Sequence, residues 1–301
     1  MRVILSTNTN LALARTIARL TGIRFGACSV GSYPDKEVSV RIGEPVEGKE
    51  VFVVGSTFSP AEHALALSIL INTARIHGAR SVNVIIPYFA YAKSDKVDAP
   101  GGSVSAGVMA DMLMCAGATR VVTVNLHSPF VHERFQVPLI ELSAMGLLAD
   151  ACKALHVRNI AVVSPDEGGA HRAKEFASHF GAPDIITVVK VRKTPSMVKV
   201  VRITGDVRGK NVVLVDDMVQ SGDTMLKAAS ALRREGAKDV YMAVAHMVQT
   251  GPGLRRLLRA REIKKIFITD TIPFAGRVPA KVEVVSVAKL IADALIAPPF
   301  V

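Results

Sequence analysis

The sequence predicts an α/β protein of two related halves, each a mostly parallel sheet flanked by helices. Three observations carry this. Short Val- and Ile-rich runs alternate with helical patterns along the whole chain, as in parallel sheets joined by crossover helices. A small unit recurs three times: Gly78-Ala79-Arg80, Gly117-Ala118-Thr119-Arg120 and Gly236-Ala237-Lys238 each close a helix and lead into a Val-rich strand. Gly suits the left-handed position just past a helix end. The length of 301 residues also suits two domains of about 150 residues each. The expected division is 1–145 and 146–301, where Pro138 and Gly146 interrupt the pattern, with a last helix at 287–298 packing back on the first half.

In chain order, Arg2–Leu5, Val51–Val54, Ser81–Ile86 and Arg120–Val124 read as strands of the first half. Ile160–Val163, Asn211–Val215, Val240–Val244 and Ile266–Ile268 read as strands of the second. Between them, apolar residues at helical spacing predict helices over Leu11–Leu20, Ala61–Ile76, Val104–Cys115, Leu147–Leu155, Ala170–Phe180, Thr224–Arg234 and Val287–Ile296.

Composition narrows the function. Half the residues are hydrophobic and 21% are charged, which excludes disorder. No uncharged run approaches the ~20 residues of a membrane span, and the first residues pass from a strand pattern into an amphipathic helix without the apolar segment of a secretory signal. Cys28, Cys115 and Cys152 stand far apart with no CxxC spacing, so a disulfide framework and a cysteine zinc site are not expected and a reducing, cytoplasmic setting is. The net charge of +11 favours polyanions, including phosphate-rich small molecules. The basic residues are spread out, the densest groups being 190–193, 255–261 and 264–265, and there is no Trp. A dedicated nucleic-acid module is therefore not expected.

The strongest motif runs from Val212 to Thr224, VVLVDDMVQSGDT. Four apolar residues form a buried strand, and Asp216 and Asp217 stand at its C-terminal end, where ligands gather in open α/β sheets. A turn of small residues leads into a helix with Leu226, Ala229 and Leu232 on one face. Amides at that helix start, with the Ser221 and Thr224 hydroxyls, can cradle a phosphate. The twin carboxylates can accept bonds from the vicinal hydroxyls of a ribose. The plainer alternative is a pair of acids that caps a helix and faces water.

This segment resembles the phosphoribosyl-diphosphate (PRPP) loop of the type I phosphoribosyltransferase fold. Tyr33-Pro34-Asp35-Lys36-Glu37, the run from Pro87 to Lys96 (PYFAYAKSDK), Asn125-Leu126-His127, Ser164-Pro165-Asp166-Glu167-Gly168-Gly169, Thr269-Asp270-Thr271-Ile272-Pro273 and Ser286-Val287-Ala288 are similar, in order, to motifs of the ribose-phosphate diphosphokinases, the PRPP synthetases. The resemblance implies two type I phosphoribosyltransferase-like domains. It also implies transfer of the β,γ-diphosphoryl group of ATP to the C1 hydroxyl of ribose 5-phosphate, giving PRPP and AMP with Mg2+.

By that resemblance Asp216, Asp217, Gln220, Ser221, Gly222, Asp223 and Thr224 bind ribose 5-phosphate. Tyr33, Asp35, Glu37, Lys93, Ser94, Asp95 and His127 bind the nucleotide, the first three from a neighbouring subunit. The implied assembly is a homo-oligomer built from dimers, a hexamer being one such size. His127 and Asp166 hold the metal, and Lys190 and Arg192 steady the transferring group, a point charge and a fork aimed at moving negative charge. On residue type alone, His127 following an apolar strand reads as structural, and Lys190-Val191-Arg192-Lys193 as a solvated basic strand.

Four departures from the family pattern stand out. Asn125 replaces an Asp, Ser94 replaces a Gln, and Gln220-Ser221-Gly222 replaces Asp-Thr-Ala or Asp-Thr-Gly. The last, with Lys190-Val191-Arg192 and Glu133-Arg134-Phe135, is similar to the class II synthetases of plants, which do not require phosphate activation. The fourth departure is Asp223 in place of a Gly. At ~6 Å and an effective dielectric near 20, this carboxylate costs roughly 3 kcal/mol per unit of charge on a bound phosphate. Two alternatives therefore stay open: a non-catalytic regulatory paralogue that assembles with an active synthetase, and a PRPP-using phosphoribosyltransferase.

Overall fold

The computed structural model describes residues 1–182, 185–191, 200–248 and 253–297. They form two compact units. The first holds residues 1–143, 271–273 and the described residues from Ser286 onward; the second holds the described residues of 144–270 and 274–285.

The first unit runs β1 (Arg2–Ser6), α1 (Leu11–Thr21), β2 (Arg24–Phe25), β3 (Cys28–Ser32), β4 (Val38–Ile42), β5 (Glu50–Val54), α2 (Glu62–Ile76), β6 (Ser81–Ile86), α3 (Ser105–Ala116), β7 (Arg120–Val124) and β8 (Leu139–Leu142). Its parallel sheet has the order β2-β1-β5-β6-β7-β8. The strands are continuous Val, Ile and Leu because helices cover both faces of such a sheet, and all five residues of β5 are buried. Strands β3 and β4 stand apart as an antiparallel hairpin.

The second unit comprises α4 (Met145–Lys153), β9 (Ile160–Ser164), α5 (Ala170–Phe180), β10 (Ile185–Val191), β11 (Val200–Ile203), β12 (Asn211–Val219), α6 (Asp223–Arg234), β13 (Val240–Met247), α7 (Gly253–Arg259), β14 (Ile263–Thr269) and β15 (Val282–Val285). Its sheet order is β11-β10-β9-β12-β13-β14-β15, parallel except for β10 with β11. The chain winds outward from β9 on one side and from β12 on the other. Their C-terminal ends therefore border the crevice where open α/β sheets bind ligands. Helix α8 (Ala288–Ile296) lies with the first unit against α1, burying Ala288, Ile291, Ala292 and Leu295.

The three repeated Gly units all cap helices. Gly78, Gly117 and Gly236 have φ of 79°, 116° and 90°. In each, the Gly N–H and the following Ala N–H donate back to the last helical turn, and the next residues then enter a strand. The strands that sequence pattern did not reveal are β2, β3, β4, β8, β10, β11 and β15. These are mostly short or lie toward a sheet edge, where a strand is completed by its partner more than by its own periodicity.

Candidate active site

Strand β12 positions the twin acids differently from the sequence expectation. Its ladder with β13 continues past them, pairing Asp216 with Val244, Met218 with His246 and Val219 with Met247, so both acids lie within the strand. Asp217 is buried at 1% exposure and Asp216 is partly exposed, and the Asp216 carboxylate accepts the Asp217 N–H at 2.9 Å. Arg172, in the first turn of α5 and 5% exposed, places Nη2 3.0 Å from Asp217 Oδ1 and 3.6 Å from Asp216 Oδ1. Burial and then the neighbouring Asp217 charge push the Asp216 carboxyl well above the usual range, with Arg172 opposing them.

The turn after β12 is built by close approach. Gly222 has φ of 77° at the start of α6, a conformation that favours glycine. Leu257 of α7 packs over it, and a Cβ on Gly222 would stand 3.0 Å from that side chain. A Cβ on Gly253 would lie 2.5 Å from the Ser221 carbonyl oxygen, so only glycine lets α7 seat on the turn. The Ser221 hydroxyl donates to Asp223 Oδ2 at 3.1 Å and accepts the Asp223 N–H at 3.3 Å. Arg256 of α7 donates Nη1 to Asp223 Oδ1 and Nη2 to the Ser221 carbonyl, both at 2.8 Å. The Ser221 and Arg256 bonds hold the Asp223 carboxyl below its usual range. The repulsion expected from Asp223 holds for a carboxylate without a partner; here the Arg256 cation neutralises it. Gln220 and Ser221 are exposed, and Thr224 is half-buried beside them.

At the end of β9, Asp166 Oδ1 accepts the Gly169 N–H at 3.1 Å, and the Ser164 hydroxyl donates to the Asp166 carbonyl at 2.6 Å. A Cβ on Gly169 would stand 3.6 Å from Asp216 Oδ1 and 3.7 Å from Asp166 Oδ1, so the two carboxylates approach the same glycine. Lys190 pairs through its backbone with Val201 of β11. Arg192 and Lys193 lie outside the described residues.

In the first unit, Tyr33, Asp35 and Glu37 form the exposed tip of the β3–β4 hairpin. The turn is closed by Tyr33 N–H to the Glu37 carbonyl (2.8 Å), Lys36 N–H to the Tyr33 carbonyl (2.9 Å) and Glu37 N–H to Asp35 Oδ1 (3.1 Å). Lys93 is exposed on the loop after β6, whereas Asp95 is buried. The Ser94 hydroxyl donates to the Ser103 carbonyl at 2.8 Å and accepts the Ser105 N–H at 3.2 Å. Ser94 therefore fastens the start of α3, a duty its sequence neighbours did not reveal.

His127 is half-buried three residues beyond β7, at a strand end as its position predicts. The preceding Leu126 N–H is held at 2.8 Å by Glu141 of β8, whose other oxygen pairs with His132 Nε2 at 2.6 Å. Asn125 has φ of 41°, a region Asn tolerates, and its buried amide donates to the Ser143 hydroxyl at 3.4 Å. Among the described residues no three His, Cys, Asp or Glu side chains gather as a metal cage.

Sequence reasoning missed Arg172 and Arg256. Arg172 has a readable signal, since it falls on the core face of α5 with Ala173, Phe176 and Ala177, where a charge needs a buried partner. Arg256 belongs to the basic run 255–261, and nothing local ties it to Asp223.

Residues 2–117 match the family model for the N-terminal domain of ribose phosphate pyrophosphokinase, and residues 134–280 match the phosphoribosyl transferase domain. A ribose-phosphate pyrophosphokinase of Bacillus caldolyticus is 37% identical over 291 residues, covering 96% of this chain and 91% of the relative. One of Caldanaerobacter subterraneus is 38% identical over 292 residues, covering 96% and 92%. A crystal structure of phosphoribosylpyrophosphate synthetase from Mycobacterium smegmatis is similar with a TM-score of 0.90 and 30% identity, covering 98% of this chain and 97% of that one.

Proposed function

The chain belongs to the ribose-phosphate pyrophosphokinase family, and from that premise we propose how its residues make PRPP and AMP from ATP and ribose 5-phosphate. The observation that supports the reading is the approach of Asp216 and Asp166 to the same Gly169, beside the C-terminal end of β12 from which the 220–224 turn continues. The N-terminal domain match over residues 2–117 favours the synthetase over a transferase that only consumes PRPP. The Arg256 partner of Asp223 removes the main argument for a silent paralogue.

The C1 hydroxyl oxygen of the sugar attacks the β-phosphorus of ATP. The bond from that phosphorus to the α,β-bridging oxygen breaks, AMP leaves, and the hydroxyl proton passes to solvent. Asp216 accepts bonds from the ribose hydroxyls. Asp217, committed to Arg172, keeps the strand end in place. Gln220, Ser221, Gly222 and Thr224 surround the 5-phosphate with hydroxyls and amides. Lys190 and Arg192 steady the transferring diphosphoryl group, so positioning and electrostatics supply the acceleration without a covalent intermediate.

Tyr33, Asp35 and Glu37, together with Lys93, Ser94, Asp95 and His127, receive the nucleotide. The exposed hairpin tip supports delivery of the first three to a neighbouring copy, hence a homo-oligomer. His127 and Asp166 are the donors for Mg2+, and Asp166 keeps a second carboxylate oxygen beyond the one on Gly169. When bound, the ion neutralises charge on the nucleotide phosphates. Three free cysteines support a reducing, cytoplasmic setting.

The deciding experiment follows both products after mixing ATP, ribose 5-phosphate and Mg2+. AMP must form in step with PRPP; formation of ADP in its place refutes the mechanism.

A further inference from the structure

We propose that Arg256 is a substrate-binding residue for the phosphate of the sugar, a role that rests on reading the 220–224 turn as the ribose 5-phosphate loop. In this structure the Asp223 carboxylate takes the Ser221 hydroxyl at 3.1 Å and the Arg256 Nη1 at 2.8 Å. A hydroxyl and a cation are what a phosphate seeks in the same turn.

Arg256 is not tied to Asp223 alone. Its Nη2 donates to the Ser221 carbonyl at 2.8 Å, which anchors the guanidinium to the backbone of the turn. Gly253 and Leu257 press α7 against Ser221 and Gly222. Lys281 ties the far end of α7 through the carbonyls of Leu257, Leu258 and Ala260 at 3.0, 3.1 and 2.6 Å. A guanidinium carries five N–H donors, and these two bonds use two of them.

Both members of the pair are about half exposed, with side chains at 46% and 50%, so water can take over from either partner. A phosphate dianion outcompetes a carboxylate monoanion for one cation and one hydroxyl. On entry it takes Nη1 and the Ser221 hydroxyl, and Asp223 turns to solvent while Nη2 stays on the Ser221 carbonyl. Ribose without a phosphate brings no charge to drive this exchange. The Asp223–Arg256 pair thereby sets the loop's demand for a phosphorylated sugar.

The test is steady-state kinetics on the full chain at saturating ATP and Mg2+ with ribose 5-phosphate varied. Arg256→Ala raises the sugar's KM by about tenfold or more, the loss of a charged hydrogen bond, and leaves the ATP KM within about twofold. Asp223→Gly lowers the sugar's KM. In the Asp223→Gly background Arg256→Ala still raises it, by about fivefold or more. If Arg256→Ala is silent once Asp223 is absent, Arg256 only screens that carboxylate and the proposal is overturned. Where the Ala variant does not fold, Arg256→Gln, which keeps a donor for the Ser221 carbonyl and loses the charge, takes its place with the same expected rise. Thr224→Ala tests the loop itself: a raised KM there with a normal one in Arg256→Ala removes Arg256 alone. Normal values in both remove the loop reading too.

Discussion

The division of labour between the twin acids gives the most exposed prediction. Asp217→Asn removes one charge from a buried pair whose atoms stand 3.0 Å apart. At an effective dielectric near 20 that attraction is about 5 kcal/mol before desolvation is deducted. Losing one partner of a buried pair costs about 3–5 kcal/mol. Asp216, still 3.6 Å from Arg172, takes up part of the stranded charge, which leaves about 2–4 kcal/mol. At about 2–4 °C per kcal/mol for a domain of this size, the melting temperature falls by roughly 4–16 °C.

Asp216→Asn acts in the opposite sense. It relieves a like-charge neighbour and leaves Arg172 paired with Asp217, so the protein melts no lower. The loss of a carboxyl acceptor for the sugar hydroxyls, about 1–3 kcal/mol, raises the ribose 5-phosphate KM by about 5- to 150-fold. Circular dichroism melts and sugar titrations on the two variants suffice. The reasoning fails if Asp217→Asn melts within about 2 °C of the parent and raises the sugar KM as far as Asp216→Asn does.

Gly253→Ala forces a methyl into the space held by the Ser221 and Gln220 carbonyls. It costs about 1–3 kcal/mol of overpacking and raises the sugar KM by displacing the turn, measurable by melting and titration of one sample. Cys152 is buried and its thiol is pushed up to about 12, first by burial and then by the Glu283 charge. Iodoacetamide at pH 8 therefore labels exposed Cys115 long before Cys152, as peptide mass mapping will report. Because the folded thiol holds its proton more tightly, its share of stability is full below the ordinary thiol pKa and is lost as pH rises toward 12; alkaline melts follow that fall, and Cys152→Ala flattens it. Chelation with EDTA abolishes PRPP formation, and added Mg2+ restores it. The melting temperature without nucleotide does not change, since the proposed metal donors are sparse; a large drop on chelation points to a structural ion instead.

Much of the fold was legible because it rests on local rules. Val-rich runs such as Val51–Val54 and Val212–Val215 need burial on both faces, and the glycines at 78, 117 and 236 end helices in the one conformation other residues resist. The edge strands were not legible, because Val200–Ile203 and Val282–Val285 are four residues each and are completed by the hydrogen bonds of a neighbouring strand more than by their own pattern. The 212–224 segment could likewise be recognised as a candidate phosphate site from residue types in fixed order.

Motif order and spacing sufficed to place the chain in its family, because a strand, a short turn and a helix carry their chemistry in consecutive residues. Tertiary structure decided how the charges are settled. Arg172 arrives from α5 to pair with Asp217 and to stand 3.6 Å from Asp216, and Arg256 arrives from α7 to neutralise Asp223. Coulomb energies depend on distances of a few ångströms between residues some 30 to 45 positions apart, and no reading along the chain contains those distances.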